Sequence, residues 1–136
     1  MRCLIDTNIL ISAALFKSSI PAKAFIKATA GHYTAVICDY SLDEALRVCN
    51  RKFIHKFPAI QEFLYSALLA ADLIKAPIDD EPVANEALIR DANDRPIFRA
   101  AVKAGVDLII TGDKDFLEAN IKNPKIITPA EFLNSF

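Results

Sequence analysis

The chain has 136 residues, 53% of them hydrophobic and only three of them glycine, with a formal net charge of −1. That length buries most of the surface its unfolded form exposes, and the composition points to a compact, helix-rich core rather than a disordered or loop-built chain. The near-neutral charge argues against a broadly basic nucleic-acid binder, although acids gathered at one place would leave the remaining surface net positive.

No apolar run approaches the roughly 18 residues of a membrane span. Asp6 interrupts the first apolar stretch too early for a secretory leader. Cys3, Cys38 and Cys49 are odd in number, lie in apolar stretches and show no zinc spacing, and His32 and His55 do not complete one. They read as buried free thiols of a reducing compartment, so the expected location is cytoplasmic and no membrane partner is expected.

In chain order, residues 2–5 (RCLI) predict a buried strand and residues 8–16 a helix apolar nearly all round. A second helix is expected from about residue 20 to 30, with Pro21 in its first turn and Gly31 as its stop. "TAVIC" (34–38) is a second buried strand. Ser41 is expected to open a helical stretch reaching about residue 70 with a break near Pro58, followed by a short strand at 72–76. Residues 77–83 (PIDDEPV) read as a loop and 84–90 as a short helix. Pro96 starts a helix that Gly105 terminates, "VDLII" (106–110) and "KIIT" (125–128) are strands, and Pro129 begins the last helix. Strands alternating with helices imply one α/β domain over residues 1–136, a parallel sheet flanked by helices on both faces. Ligands of such sheets bind beyond the carboxyl ends of the strands.

Several acids fall at those ends. Asp6 follows the first strand, Asp39 the second, and Glu44 lies one turn into the helix after it. Asp91 and Asp94 precede the helix at Pro96, and Asp113 and Asp115 follow "LIIT". Each has an alternative reading as a helix cap, which is worth about 1 kcal/mol. "SLDE" (41–44) and "TPAE" (128–131) both have the capping-box pattern, and Asp94 directly before Arg95-Pro96 is a natural cap. Asp6 fits capping less well, because Thr7 and Asn8 already offer side chains for it. Taken together the acids carry more weight. Two carboxylates about 4 Å apart repel by roughly 4 kcal/mol at an effective dielectric near 20, so a converging set needs protons or a cation among its members. Oxygen-only donors favour Mg²⁺ or Mn²⁺ over zinc, and such an ion suits phosphate chemistry.

"CLIDTNILISAAL" at the start, "SLDEALRV" at 41–48, "RDANDRPIFRAAVKAGVDLIITGDKDF" at 90–116 and "IITPAEFL" at 126–133 together resemble a PIN domain, in particular the bacterial and archaeal toxin–antitoxin subfamily. The resemblance covers nearly the whole chain. It implies a Mg²⁺- or Mn²⁺-dependent endoribonuclease with a PIN-like α/β/α sandwich, an RNA substrate, an antitoxin protein as partner and a homodimer. By position it assigns metal ligation and catalysis to Asp6, Glu44, Asp94 and Asp113. Thr7, Asn8 and Thr111 would support the pocket, with Asp91 and Asp115 as further acids beside it. Relatives often carry a denser acidic run around the third ligand, where this chain has Asn93 and Arg95; spacing to Gly105 favours Asp94 over Asp91.

For RNA, Arg47, Arg51 and Lys56 are expected to share a helical face that tracks the phosphate backbone, the alternative being an ordinary solvated face. Arg99 and Lys114 are the next candidates for phosphate contact. Two other functions compete. A phosphatase with Asp6 as nucleophile would want an acid at position 8, which is Asn8. A catalytically inactive PIN-like module binding RNA or protein would have no use for four repelling carboxylates.

Overall fold

Five short strands, β1 (Arg2–Ile5), β2 (Thr34–Cys38), β3 (Asp72–Ile74), β4 (Leu108–Ile110) and β5 (Lys125–Ile127), form one parallel sheet in the order β3-β2-β1-β4-β5. The structure is a computed structural model, and it describes residues 1–77 and 82–136. The loop expected at 77–83 falls largely on residues 78–81, outside the described residues.

Side chains alternate across a strand, so each strand feeds two cores. Cys3, Ile5, Ala35, Ile37, Leu108, Ile110 and Ile127 face one layer. It is built by α1 (Thr7–Leu15), α2 (Ile20–Ala28), α3 (Asp39–Lys52), α4 (Phe57–Ala70) and α7 (Pro129–Ser135). Leu4, Val36, Cys38, Ile109 and Ile126 face the other, formed by α5 (Arg95–Lys103) and the short α6 (Lys114–Leu117). Because both faces are covered, the strands are continuously apolar rather than alternating. The nearly all-apolar α1 packs against α2, α3 and α4 as well as the sheet side of its layer. All three cysteines are free and buried.

Local chemistry explains most boundaries. Ser19 caps α2 by accepting the Ala22 amide at 3.2 Å, with Pro21 in the first turn. At the end of α5, Gly105 adopts φ +66°, and bonds from Gly105 N to Val102 O and from Val106 N to Ala101 O close a Schellman motif. Thr128 caps α7 by accepting the Glu131 amide at 3.1 Å, and its hydroxyl donates to Glu131 Oε1 at 3.2 Å, so "TPAE" works as an N-cap.

Other boundaries differ from the sequence reading. The first helix after β2 begins at Asp39, not Ser41, because Asp39 ties β2 to the end of β3: its Oδ1 accepts from Tyr40 N at 2.7 Å and Ala76 N at 2.8 Å. Ser41 is therefore inside the helix with a buried, unpartnered hydroxyl, and "SLDE" caps nothing. The helical break comes at Phe53 through a 3-10 turn at Ile54–Lys56, while Pro58 sits in the first turn of α4, where a missing N–H costs no hydrogen bond. Residues 84–90 hold a single 3-10 turn, Glu86–Leu88, and the strand expected at 106–110 is paired only over Leu108–Ile110. The four-residue α6, Lys114–Leu117, follows β4 and had no counterpart in the sequence reading.

Candidate metal centre

Parallel pairing brings the ends of β1 and β4 side by side. Ile5 pairs with Ile110, Asp6 N donates to Ile110 O at 3.1 Å, and Thr111 N donates to Ile127 O at 3.0 Å. Asp6 and Thr111, 105 positions apart in sequence, thereby meet at one rim of the sheet.

Asp6 is only 4% exposed. It is the N-cap residue of α1, its Oδ1 accepting the Thr7 amide at 2.9 Å, while its Oδ2 accepts the Thr111 hydroxyl at 2.6 Å. The Thr111 oxygen in turn accepts the Asp113 amide at 3.0 Å, and Asp113 Oδ1 accepts the Asp115 amide at 2.9 Å. This relay sets the loop after β4 and the start of α6 directly against Asp6. Burial pushes the Asp6 carboxyl up to about 6 despite the two bonds that favour its charged form, and the charges of Asp113 and Glu44 push in the same direction.

Asp94 arrives from the opposite layer. Arg95 anchors its segment by donating from Nε (3.1 Å) and Nη2 (2.9 Å) to the Ile89 carbonyl. Asp91, not Asp94, does the capping: its Oδ1 accepts the Asn93 amide at 2.9 Å at the head of the 3-10 turn Ala92–Asp94. Asp94 stands at the N-cap position of α5 without capping it, and its Oδ2 is buried with no hydrogen-bond partner. Desolvation raises its carboxyl to about 8, with further contributions from the charges of Asp113 and Asp6, a hydrogen bond with Asp113, and the charge of Asp91.

The structure thus brings Asp6, Asp94 and Asp113 into one electrostatic neighbourhood, with Glu44 acting on Asp6 from the second turn of α3. Glu44 is not a cap, since its capping box does not form. Asp91 and Asp115, ranked behind these from sequence, are drawn in more tightly than their rank implied. Asp91, Asp94 and Asp115 each place one carboxylate oxygen within 4.8 Å of the others. Donors on opposite sides of a small hard cation are about 4–5 Å apart, given metal–oxygen distances of roughly 2.0–2.6 Å. An all-oxygen set with an orphaned, buried carboxylate oxygen fits a divalent cation such as Mg²⁺ or Mn²⁺, and no histidine or cysteine belongs to it.

The supporting residues are placed differently from one another. Thr111 bonds Asp6 directly. Thr7 contributes its amide, while its hydroxyl is buried and unpartnered. Asn8 Oδ1 accepts from Gly112 N at 3.5 Å, a long contact across the rim.

Among the basic candidates, Arg47 and Arg51 are exposed one turn apart on α3, but Lys56 lies in the 3-10 turn beyond the end of that helix, so the three do not share one helical face. Lys114 is exposed at the start of α6. Arg99, expected at the phosphate, is instead engaged by Glu86: Nε and Nη2 donate to the two carboxylate oxygens at 2.6 Å each, and the side chains are 15% and 7% exposed. Sequence reasoning missed Glu86, and also Arg90, which pairs with Asp115 (Nε to Oδ1, 3.1 Å) and with Glu118. Neither shows a local pattern, since the partner lies 13 residues away for Glu86 and 28 away for the Arg90–Glu118 pair.

Comparison with known proteins agrees with this architecture. The chain is 26% identical to an uncharacterized protein of Methanocaldococcus jannaschii over 149 aligned positions, covering 100% of this chain and 92% of the relative. Its fold is similar to a chain of the Rickettsia felis VapBC2 structure, solved bound to a DNA fragment from their promoter (TM-score 0.67, 17% identity, 94% of this chain and 98% of that one). It is also similar to VapC20 of Mycobacterium tuberculosis, described as a Sarcin-Ricin loop cleaving toxin (TM-score 0.62, 14% identity, 88% and 95%). At these identities the two structures attest the fold alone. The PIN domain family matches residues 2–115, a span that takes in each rim acid from Asp6 to Asp115, and the chain therefore belongs to the PIN domain family.

Proposed function

We propose that this PIN domain is a divalent-metal-dependent endoribonuclease that hydrolyses RNA phosphodiester bonds. The observation that carries the reading is the buried Asp94 Oδ2, left without a hydrogen-bond partner beside Asp113, Asp6 and Asp91. A group so costly to bury is retained where an external cation is its intended partner.

Asp6, Glu44, Asp94 and Asp113 would hold the ion together with Asp91 and Asp115, which each place an oxygen within 4.8 Å of one of Asp94's. When bound, a Mg²⁺ or Mn²⁺ ion supplies Lewis acidity toward a phosphoryl oxygen and lowers the pKa of an associated water. Thr111 holds Asp6 in one rotamer through the 2.6 Å bond, so the carboxylate is pre-set and does not have to reorganise when substrate arrives. With the ion bound, its charge would hold these carboxylates ionised, and one of them would accept the proton of the attacking water. In-line attack at phosphorus would then expel the 3′ oxygen, the flanking RNA backbone being held by cations outside the acid cluster such as Arg47, Arg51 and Lys114.

Likeness to a toxin described as cleaving the Sarcin-Ricin loop supports an RNA substrate, and likeness to a chain of a VapBC2 structure supports an antitoxin as partner; the homodimer is proposed from the family resemblance. The test is cleavage of single-stranded and stem-loop RNA with Mn²⁺, repeated with EDTA and with Asp6→Asn. Cleavage abolished in both controls is the expected result. Equal cleavage by Asp6→Asn would assign the activity to a contaminant and end the proposal.

A further inference from the structure

Among the described residues, Arg90 is the cation that the acid cluster holds by a direct ion pair. Its guanidinium lies across one face of α6 and its end, reaching Asp115 and Glu118, which are three positions apart and so share that face. The backbone just before it is fixed, because Arg95 grips the Ile89 carbonyl with two hydrogen bonds. The side chain itself is 65% exposed. An exposed pair of this kind contributes little to stability, so stability is a weak reason for an arginine at this place.

Asp115 has two claims on it. It pairs with Arg90, and it also offers an oxygen to the Asp91–Asp94–Asp115 set. A divalent cation seated among those three carboxylates competes with the guanidinium for Asp115. Nε is thereby released and only the exposed Glu118 keeps Nη2, so the planar fork is free to turn its donors to two phosphate oxygens at once.

We infer that Arg90 is a phosphate-binding residue for the RNA, kept by Asp115 and Glu118 until a divalent cation takes over Asp115. The inference rests on the nuclease reading above and adds to it the group that seizes the scissile or adjacent phosphate. Metal binding and RNA binding are then coupled through one side chain, and each favours the other.

The experiment reads binding rather than turnover. Mn²⁺ affinity is measured by calorimetry, and affinity for a fluorescent single-stranded RNA by anisotropy, with Ca²⁺ replacing Mn²⁺ and the RNA verified intact on a gel. Arg90→Ala is expected to weaken RNA binding about tenfold, as loss of a charge-assisted phosphate contact does. It should also lower the slope of log Kd against log salt by about one, and tighten Mn²⁺ binding about two- to threefold by removing a competitor at an exposed pair. Arg90→Lys should keep the salt slope and lose part of the affinity. Glu118→Gln separates a phosphate role from a structural one: it breaks the outer ion pair but should leave RNA affinity intact. Wild-type RNA affinity in Arg90→Ala, or equal weakening in Glu118→Gln, overturns the inference while leaving the nuclease reading standing. A wild-type protein that binds no Mn²⁺ overturns both.

Discussion

Two clusters of charge, one packed against α5 and one at the rim of the sheet, are opposite in kind. Glu86 and Arg99 form a closed pair with both carboxylate oxygens engaged, and Val83 N adds a third bond at 3.0 Å. The hydrogen bond from Arg99 draws the Glu86 carboxyl down to about 2. At the rim, burial raises Asp6 to about 6 and Asp94 to about 8, and no cation among the described residues is in contact with them to offset it. The same side-chain chemistry is structural where the fold supplies the counterion and functional where the counterion must come from outside.

The largest expected effect strikes the open cluster. Asp94→Asn or Asp6→Asn should reduce RNA cleavage by about 10²–10³-fold or more, the range seen when one electrostatic stabiliser is removed from an active site. The same substitutions should leave the metal-free fold as stable or more stable, with Asp94→Asn gaining about 1 kcal/mol, or some 4 °C in Tm, at pH 8. A large drop in Tm for both would mean that these acids are structural.

The closed cluster should behave in reverse. Glu86→Gln removes the carboxylate charge that Nε and Nη2 of Arg99 both contact and is expected to cost about 3 kcal/mol, lowering Tm by roughly 10 °C. Mn²⁺ affinity measured well below Tm should be unchanged, so a variant that loses metal and keeps stability would erase the distinction between the clusters.

Acidity sharpens the contrast. A raised carboxyl pKa means that the folded state binds protons more tightly than the unfolded chain, so the metal-free protein should lose stability as pH rises from about 4 to about 8. Glu86 has the opposite sign: its contribution is present above about 4.5 and is lost as pH falls through about 2. Thermal melts between pH 5 and 8 should decline without metal. With Mn²⁺ at one hundred times its Kd the decline should reverse and stability rise by about 2.7 kcal/mol, since protons and metal compete for the same oxygens. A flat profile in both conditions would contradict the raised values.

The smallest effect distinguishes the two capping-box patterns. Thr128→Ala should cost about 1 kcal/mol, because its hydroxyl accepts the Glu131 amide. Ser41→Ala should be neutral or slightly stabilising, because its hydroxyl is buried and unpaired. Equal losses in chemical denaturation would show that "SLDE" caps after all.

These cases show why some features were readable and others were not. Gly105 and "TPAE" carry their meaning within a turn, and the structure follows them. "SLDE" has the same local signal, yet Asp39 starts the helix two residues earlier by reaching Ala76, which no window around Ser41 contains. Asp94 illustrates the opposite error. Locally it is an excellent cap, but Asp91 does that work and leaves Asp94 facing Asp113 and Asp6. Arg99 looked available for phosphate because its distance in sequence from Glu86 hides the pair.

By itself the sequence determined the five strands of a parallel sheet, that the carboxyl ends of β1, β2 and β4 would carry acids, and which residues end several helices. Those properties depend on apolar runs, turn-forming residues and short spacings. Only the tertiary structure decided which acids come closest, with Asp91 and Asp115 joining Asp94, which cations are spent on internal pairs, and which hydroxyls go unpaired. The reason is that electrostatic neighbourhoods depend on distance and burial in space, and the order β3-β2-β1-β4-β5 sets side by side groups more than 100 residues apart in the chain.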